Sequence, residues 1–334
     1  MLRYVIRRLV LLVPILIGLS ILVFVFVRSL PGGPAIALLG ERATEESIEA
    51  IDRELGLDEP IYKQYMKYAA NLVSGDLGAS IQTRRPVIDE LKQRFPATIE
   101  LGIAAMLFAI LAGVPLGYFA AKRYQGVFDQ TSLVTSLIGI SFPIFFLALI
   151  LKFVFAVKLG WLPSIGRLDV TRSLEHPTGF YVLDAVIAGD FPALLDAIRH
   201  MILPAVALGT IPLAIVARIT RAATLDVLSE DYVRTARAKG LDPSVVDRRH
   251  VVRNAMLPVV TIVGLQTGLL LTGAILTERV FAWPGLGTMI INAISYRDYA
   301  VLQGGLVFFA LIIVLVNLLV DVSYAFLNPR IRYR

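Results

Sequence analysis

The stretch SEDYVRTARAKGLDPSVVDRRHVVRNAMLP, Ser229 to Pro258, is the most charged part of a chain that is otherwise strongly apolar. Its local signals are helical. Leu225, Leu228, Tyr232 and Ala236 step by three and four residues, which places them on one helix face. Gly240 is suited to end that helix, because glycine accepts the left-handed conformation at the first non-helical position. Leu241 leads into Asp242-Pro243, a side chain that caps and a proline that opens a helix. A second helix is expected from Pro243 towards Met256, ending near Pro258. The stretch therefore reads as helix, sharp turn, helix, with Arg234, Arg237 and Lys239 just before the corner.

The rest of the chain decides where such an element sits. Of 334 residues 57% are hydrophobic and 17% charged, with a mean hydropathy of +0.73. Six long uncharged runs stand out: Leu9–Val27, Leu101–Ala121, Gln130–Leu151, Met201–Ala217, Asn254–Thr277 and Tyr299–Val320. At 1.5 Å per residue each is long enough to cross a hydrocarbon core of about 30 Å. The first run follows Arg3, Arg7 and Arg8 like a secretory signal, but it exceeds a signal core and lacks an A-x-A site, so a retained anchor is expected. The organisation expected is an N-terminal span (1–27), a long helical loop (28–100) and a core of five spans (101–334) containing the charged loop 218–257.

Charge sets the orientation. Six spans place both ends, the connection 122–129 and the charged insert on one side, and these short segments hold more basic than acidic residues. Arg3, Arg7, Arg8, Lys122, Arg123, Arg330, Arg332 and Arg334 lie there, so that side is cytoplasmic. The net charge of +6 thus follows from topology and lends no support to nucleic-acid binding. With no cysteine, disulfides and thiolate chemistry are absent and the redox compartment is not indicated.

The opposite side is substantial. Thr44 before Glu45 and Glu46, then Ile48, Ile51 and Leu55 at helical spacing with Gly56 as a stop, predict one helix, and Pro60 to Val73 with Ser74 and Gly75 predicts another. A second outer loop, about 152–200, contains Trp161, Pro163, Pro177 and Pro192, which oppose one continuous helix. Such loops suit a partner, a lid or a plain cap over helix ends. Within the spans, Ala105, Ala109, Gly113, Gly117 and Ala121 repeat every four residues, and Gly264, Gly268 and Thr272 make a shorter ladder. Small residues let helices approach closely in lipid, either within the bundle or at a subunit interface. No acidic or basic residue lies mid-span, whereas self-powered ion- or proton-driven carriers tolerate the cost of one there. Gln266, Asn317, Ser141, Thr261, Thr267 and Thr272 are the notable polar residues, either interhelical bonds or substrate contacts. Pro143 should kink the third span.

Two readings of the charged insert remain on these grounds: an amphipathic hairpin on anionic headgroups, or a rigid peg entering a cytoplasmic partner. Here a resemblance enters. YVRTARAKGL followed by RHVVRNAMLP resembles the cytoplasmic coupling loop of ABC-transporter permeases of the dipeptide/oligopeptide and nickel import family. Arg234, Thr235 and Ala236 stand at the family's Glu-Ala-Ala places, Gly240 at its glycine, and Ala255, Met256, Leu257 and Pro258 at its ending. The acidic residue is missing here, so no salt bridge of that glutamate carries over. MLRYVIRRLVLLVPILIG, LGLDEPIYKQYMKY with GDLGAS, RFPATIELGIAA and ERVFAWPGLGTMIINAISYRDYAVLQG are similar to further blocks of the same branch, so the resemblance spans the chain.

The resemblance implies an all-α membrane protein with six spans, of the type I ABC importer permease kind, in the bacterial inner membrane. It implies a second, similar permease, two ATPase subunits that bind ATP and Mg, an extracytoplasmic binding protein and a peptide substrate. Arg234, Thr235, Ala236, Arg237, Ala238, Lys239, Gly240 and Leu241 would couple to the ATPase. The motor is not expected in this chain, because it has no G-x-x-x-x-G-K-[ST] loop and none of its lysines follows a glycine. No cofactor and no metal are expected on it. Ser141, Gln266, Thr267 and Glu278 are candidate path residues, and Glu278, acidic beside the outer mouth, would meet a peptide's amino group or pair with Arg279. Import of nickel or another small solute is the same-class alternative, with only His176, His200 and His250, well separated, as metal-binding side chains. A self-sufficient channel leaves the insert unexplained, and an intramembrane enzyme would need a nucleophile–base or metal constellation that is not in place.

Overall fold

The computed structural model of the chain describes residues 2–29, 35–36, 39, 44–54 and 56–327, with the side chains of residues 2–9, Thr272 and 321–327 left undescribed. The expected roles of Arg3, Arg7, Arg8, Leu55, the Thr272 side chain, Arg330, Arg332 and Arg334 fall outside the described residues. What is described is helical, with one isolated bridge between Ala79 and Pro86. In order come α1 (Leu2–Ser29), α2 (Glu45–Glu54), α3 (Ile61–Ser74), α4 (Val87–Lys122), α5 (Val127–Ser141), α6 (Ile144–Leu151), α7 (Tyr181–Ala188), α8 (Phe191–Ser229), α9 (Asp231–Ala238), α10 (Pro243–Val245), α11 (Arg253–Val280), α12 (Leu286–Tyr296) and α13 (Tyr299–Leu327). Wider π-helical turns over Lys152–Lys158 and Val246–Val252 extend α6 and join α10 to α11.

Five stretches are long and apolar enough to span a membrane: Val10–Ser29, Val87–Lys122, Phe191–Ser229, Pro243–Leu271 and Tyr299–Val320. A sixth is the pair Val127–Ser141 and Ile144–Lys158, bent by 105°. The third span is therefore broken rather than merely kinked. The residue before a proline is pushed out of the helical region, and Phe142 and Pro143 are both extended, with ψ of 131° and 134°. Pro204, Pro212 and Pro258 behave otherwise and sit inside continuous helices, which membrane-spanning helices tolerate.

The described chain forms two compact units, one of Ile99–Trp283 with the chain from Val316, the other of Leu2–Thr98 with Pro284–Leu315. In the second unit, Phe24 of α1 meets Tyr65 edge-on at 5.2 Å and stacks on Tyr68 at 5.7 Å, both on α3. Buried Asp298 (3% exposed) accepts from Ser80 Oγ at 2.6 Å and from the amide of Ile81 at 2.9 Å. Its other oxygen accepts from the amide of Val301 at 3.2 Å, capping α13.

In the first unit α8 is the central rod and lies against α4, α5, α6 and α11. The ladder of small residues on α4 is an intrachain contact: a Cβ at Gly113 would lie 2.9 Å from the carbonyl oxygen of Leu213, and one at Gly117 only 2.2 Å from that of Ala217. Gly209 answers from α8, where a Cβ would come 2.5 Å from the Ala105 carbonyl. On α11 a Cβ at Gly268 would meet Asn317 Oδ1 at 2.4 Å. Glycine thus sets the helix spacing at each crossing.

The end of this unit at which α4 enters it is tied by a buried ion pair. Arg167 donates through Nη2 to Glu100 and, at 2.8 Å, to the carbonyl of Gly179. Its guanidinium stacks on Tyr181, 3.7 Å from the ring centre, and lies 5.5 Å from that of Trp283. Lys152 donates to the Val280 carbonyl at 2.8 Å, placing a cation where helix α11 leaves carbonyls unpaired.

The charged corner and its fastening to the spans

The charged insert folds as a helix, a corner and a helix, with two departures from expectation. Glu230 is extended (φ −71°, ψ 141°) and separates α8 from α9, so Leu225 and Leu228 belong to α8 and do not share a helix with Tyr232 and Ala236. The buried face of α9 is Val233 and Ala236, while Tyr232 is 40% exposed. Nor does the second helix end at Pro258. From Pro243 it runs through the π-helical turn and continues to Val280. The corner and the fifth span are one rod.

The corner itself is set by local chemistry. Gly240 has φ +72° and its amide bonds the Arg237 carbonyl at 3.0 Å, while that of Leu241 bonds the Ala236 carbonyl at 3.4 Å. These bonds satisfy carbonyls that the end of α9 leaves open. Asp242 Oδ1 then accepts from the amide of Ser244 at 2.8 Å and from its hydroxyl, starting α10. Those bonds to the Ser244 side chain and backbone hold the Asp242 carboxyl below its ordinary range.

Of the eight candidate coupling residues, Ala236 points inward at 5% exposure and packs with Val233, Val246 and Val251. Arg234, Thr235, Arg237, Ala238, Lys239, Gly240 and Leu241 are all exposed. The corner therefore offers three cations and the exposed Leu241 side chain, above a small apolar base of its own. Tyr118, Val227 and Leu228 pack against that base, which joins it to α4 and α8.

One ion pair completes the fastening and a second ties α8 to α5, and no spacing in the sequence points to either. Lys122 at the end of α4 pairs with Asp247 in the π-helical turn. Arg221 of α8 holds both oxygens of Asp129 at the start of α5, and Asp129, only 2% exposed, also accepts from the Gln125 amide at 2.9 Å. The partners are 125 and 92 residues apart in sequence. In the sequence Lys122 stands out only as a charge that orients the chain.

The candidate path residues are dispersed. Ser141 is exposed at the end of α5, its hydroxyl donating to the Leu137 carbonyl at 2.8 Å. Gln266 is buried at 5%, and Glu278 is fully enclosed at 0%, so in this conformation it does not face an open mouth. Thr267 lines an apolar cavity of about 320 Å³ with Gly102, Met106, Leu271 and Val316, its own hydroxyl donating to the Val263 carbonyl at 2.9 Å. Among the described residues no group of three or more His, Asp or Glu is placed to hold a metal ion.

A multi-span helical bundle with a charged corner braced against two of its spans and continuous with a third is the architecture of a permease subunit. The chain belongs to the family of binding-protein-dependent transport system inner membrane components, whose model matches residues 113–333, and the N-terminal model of the same systems matches residues 1–102. It is thus a multi-pass inner-membrane protein of the ABC importer permease family. It is 48% identical over 333 residues to the dipeptide transport system permease protein DppB of Alkalihalophilus pseudofirmus, covering all of both chains. It is 49% identical over 336 residues to the di/tripeptide transport system permease protein DppB of Pseudomonas aeruginosa, again covering all of both. A glutathione transport system permease protein, GsiC, of Escherichia coli is 45% identical over 334 residues and the whole of both chains. Among solved structures, an inward-facing form of the MetNI methionine ABC transporter matches with a TM-score of 0.50 at 18% identity, covering 70% of this chain and 93% of that one. That likeness supports the type I importer fold.

Proposed function

We propose that this chain is the membrane-spanning subunit of an ATP-driven importer of di- and oligopeptides. What supports the substrate class is the match, over the whole of each chain, to relatives named as dipeptide and di/tripeptide permeases. In this reading a second, similar permease completes the path, and two ATPase subunits bind ATP and Mg beneath it. An extracytoplasmic protein delivers the peptide, and both termini and the charged corner face the cytoplasm. This chain performs no covalent chemistry.

The corner is the handle. Arg234, Thr235, Arg237, Ala238, Lys239, Gly240 and Leu241 enter a groove on the ATPase, with Ala236 packed behind them. Closure of the nucleotide sites pushes α9, and the push reaches the bundle by three routes. The apolar base moves α4 and α8, the Lys122–Asp247 pair ties α4 to the rod, and the rod itself is the fifth span. Two arrangements of the bundle then alternate access to the path. Ser141, Gln266, Thr267 and Glu278 remain the proposed path residues, and Glu278 would become accessible only in the other arrangement.

Purifying the chain from its own membrane in mild detergent should recover a P-loop ATPase and a second permease, and dipeptide presented with the binding protein should stimulate ATP hydrolysis. Recovery of this chain alone, in a preparation that keeps other such complexes whole, would defeat the proposal. Gly240→Val tests the corner separately. At φ +72° a β-branched residue is an outlier costing about 1–2 kcal/mol, although a Cβ there would meet no neighbour within 4 Å. The expected result is normal insertion and assembly with transport and stimulated ATP hydrolysis reduced about tenfold or more. Full coupling in this variant would mean that the shape of the corner is immaterial.

A further inference from the structure

A cavity of about 330 Å³ lies within the second unit, walled by the last turn of α1, by α3 and by the first turns of α13. Three polar atoms of residues lining it are buried and have no hydrogen-bond partner: Arg28 Nη1, Tyr68 Oη and Gln303 Nε2. Buried polar groups in native proteins are nearly always satisfied, so three orphans on residues that line one cavity require a cause. Two of the three can only donate, and the tyrosine hydroxyl, whose pKa burial pushes up to about 12, also carries a proton to donate. Gln303 is only 8% exposed. Arg28 is held in place from two sides, its Nε donating to Gln64 Oε1 at 2.7 Å and its guanidinium lying 3.7 Å from the centre of the Phe24 ring. Among the described residues no carboxylate pairs with it. Of the acidic groups on the cavity, Asp76 already accepts from the Gly78 amide at 2.9 Å, and Glu54 is exposed. Lys67 also lines the cavity and adds a second cation.

We propose that this cavity binds an oxyanion, with Arg28, Tyr68 and Gln303 as its donors. An oxyanion supplies several acceptors to such donors and neutralises the guanidinium, which a water molecule or an apolar group does not. The position fits the phosphate of a phospholipid headgroup, because the candidate spans Val10–Ser29 and Tyr299–Val320 begin or end at this cavity and so bring it to the membrane interface. A soluble phosphate or a peptide carboxylate presents the same chemistry. The site does not depend on which solute the permease moves.

The test uses the full chain in mild detergent, with native mass spectrometry of bound phosphatidylglycerol and thermal-shift titrations with inorganic phosphate and alanylalanine. The comparison variant is Tyr68→Phe with Gln303→Met, which removes two donors while keeping the aromatic stack and side-chain bulk. Tyr68→Phe alone serves if the pair fails to fold. Wild type should retain phosphatidylglycerol and the variant should hold it roughly tenfold more weakly, which assigns the lipid phosphate. Stabilisation of the wild type by phosphate or alanylalanine, lost in the variant while lipid retention is unchanged, assigns a soluble oxyanion. Equal behaviour of wild type and variant towards every probe overturns the site.

Discussion

Arg167→Leu destabilises the first unit by about 3–5 kcal/mol, the usual loss when one member of a buried ion pair is removed. The arginine is 5% exposed and Glu100 7%. With the guanidinium gone, Glu100 keeps one identified bond, from the amide of Val182 at 2.8 Å, and its charge is left without compensation. Arg167→Leu combined with Glu100→Leu should recover most of the loss, since a buried pair and a well-packed apolar pair are often of similar stability. Arg167→Lys should fall between, because a lysine keeps the charge but not the planar stack on Tyr181. Thermal unfolding of the detergent-purified chain checks all three. A double variant as unstable as the single one would show that packing, and not the stranded carboxylate, is responsible.

Gly117→Val is expected to prevent the close approach of α4 and α8. The new Cβ would stand 2.2 Å from the Ala217 carbonyl oxygen and 2.8 Å from Thr220 Cβ, and the first of these is backbone that cannot rotate away. Overpacking of this kind costs about 1–3 kcal/mol and more where nothing yields. Gly102→Ala is the matched control. Its Cβ would make an ordinary contact with the Leu271 side chain at 3.6 Å, and alanine should stabilise the helix by up to about 1 kcal/mol. The yield of protease-resistant, monodisperse protein separates the two, and equal yields would mean that helix spacing at Gly117 is not fixed by the glycine.

What the sequence makes legible is whatever neighbouring residues decide. Long apolar runs reveal the spans because the bilayer requires them. Gly240 and Asp242-Pro243 reveal the corner because a left-handed residue and a cap are local devices, and Gly75 closes α3 for the same reason, at φ +80°. The misreadings concern proline. Proline near a helix end is a good stop in water, yet Pro258 lies inside a helix here, while Pro143 breaks one through its effect on Phe142. The difference lies in the tertiary surroundings of each, which a single sequence does not display. The break at Glu230 has no such marker, and it divides a face that the spacing presents as continuous. The ion pairs Arg221–Asp129, Lys122–Asp247 and Arg167–Glu100 join residues far apart in the chain, and no spacing rule relates them. For the path residues, sequence picks out polarity and not direction, so Ser141, exposed, and Gln266, buried, look alike until the helices are packed.

The π-helical turn between Val246 and Val252 fixes the chain length between the corner and the fifth span. Such a turn accommodates one residue more than an α-helix of the same rise. Losing one residue there would return the turn to plain α-helix nearly in phase, whereas adding one between Val246 and Val251 would keep the helix unbroken but rotate everything beyond it by about 100°. Val246 and Val251, now seated together under α9, would no longer share that seat. Substitutions in this segment are therefore graded by side chain, whereas an insertion acts all at once by changing phase, and its residue count shapes the corner as much as its composition does.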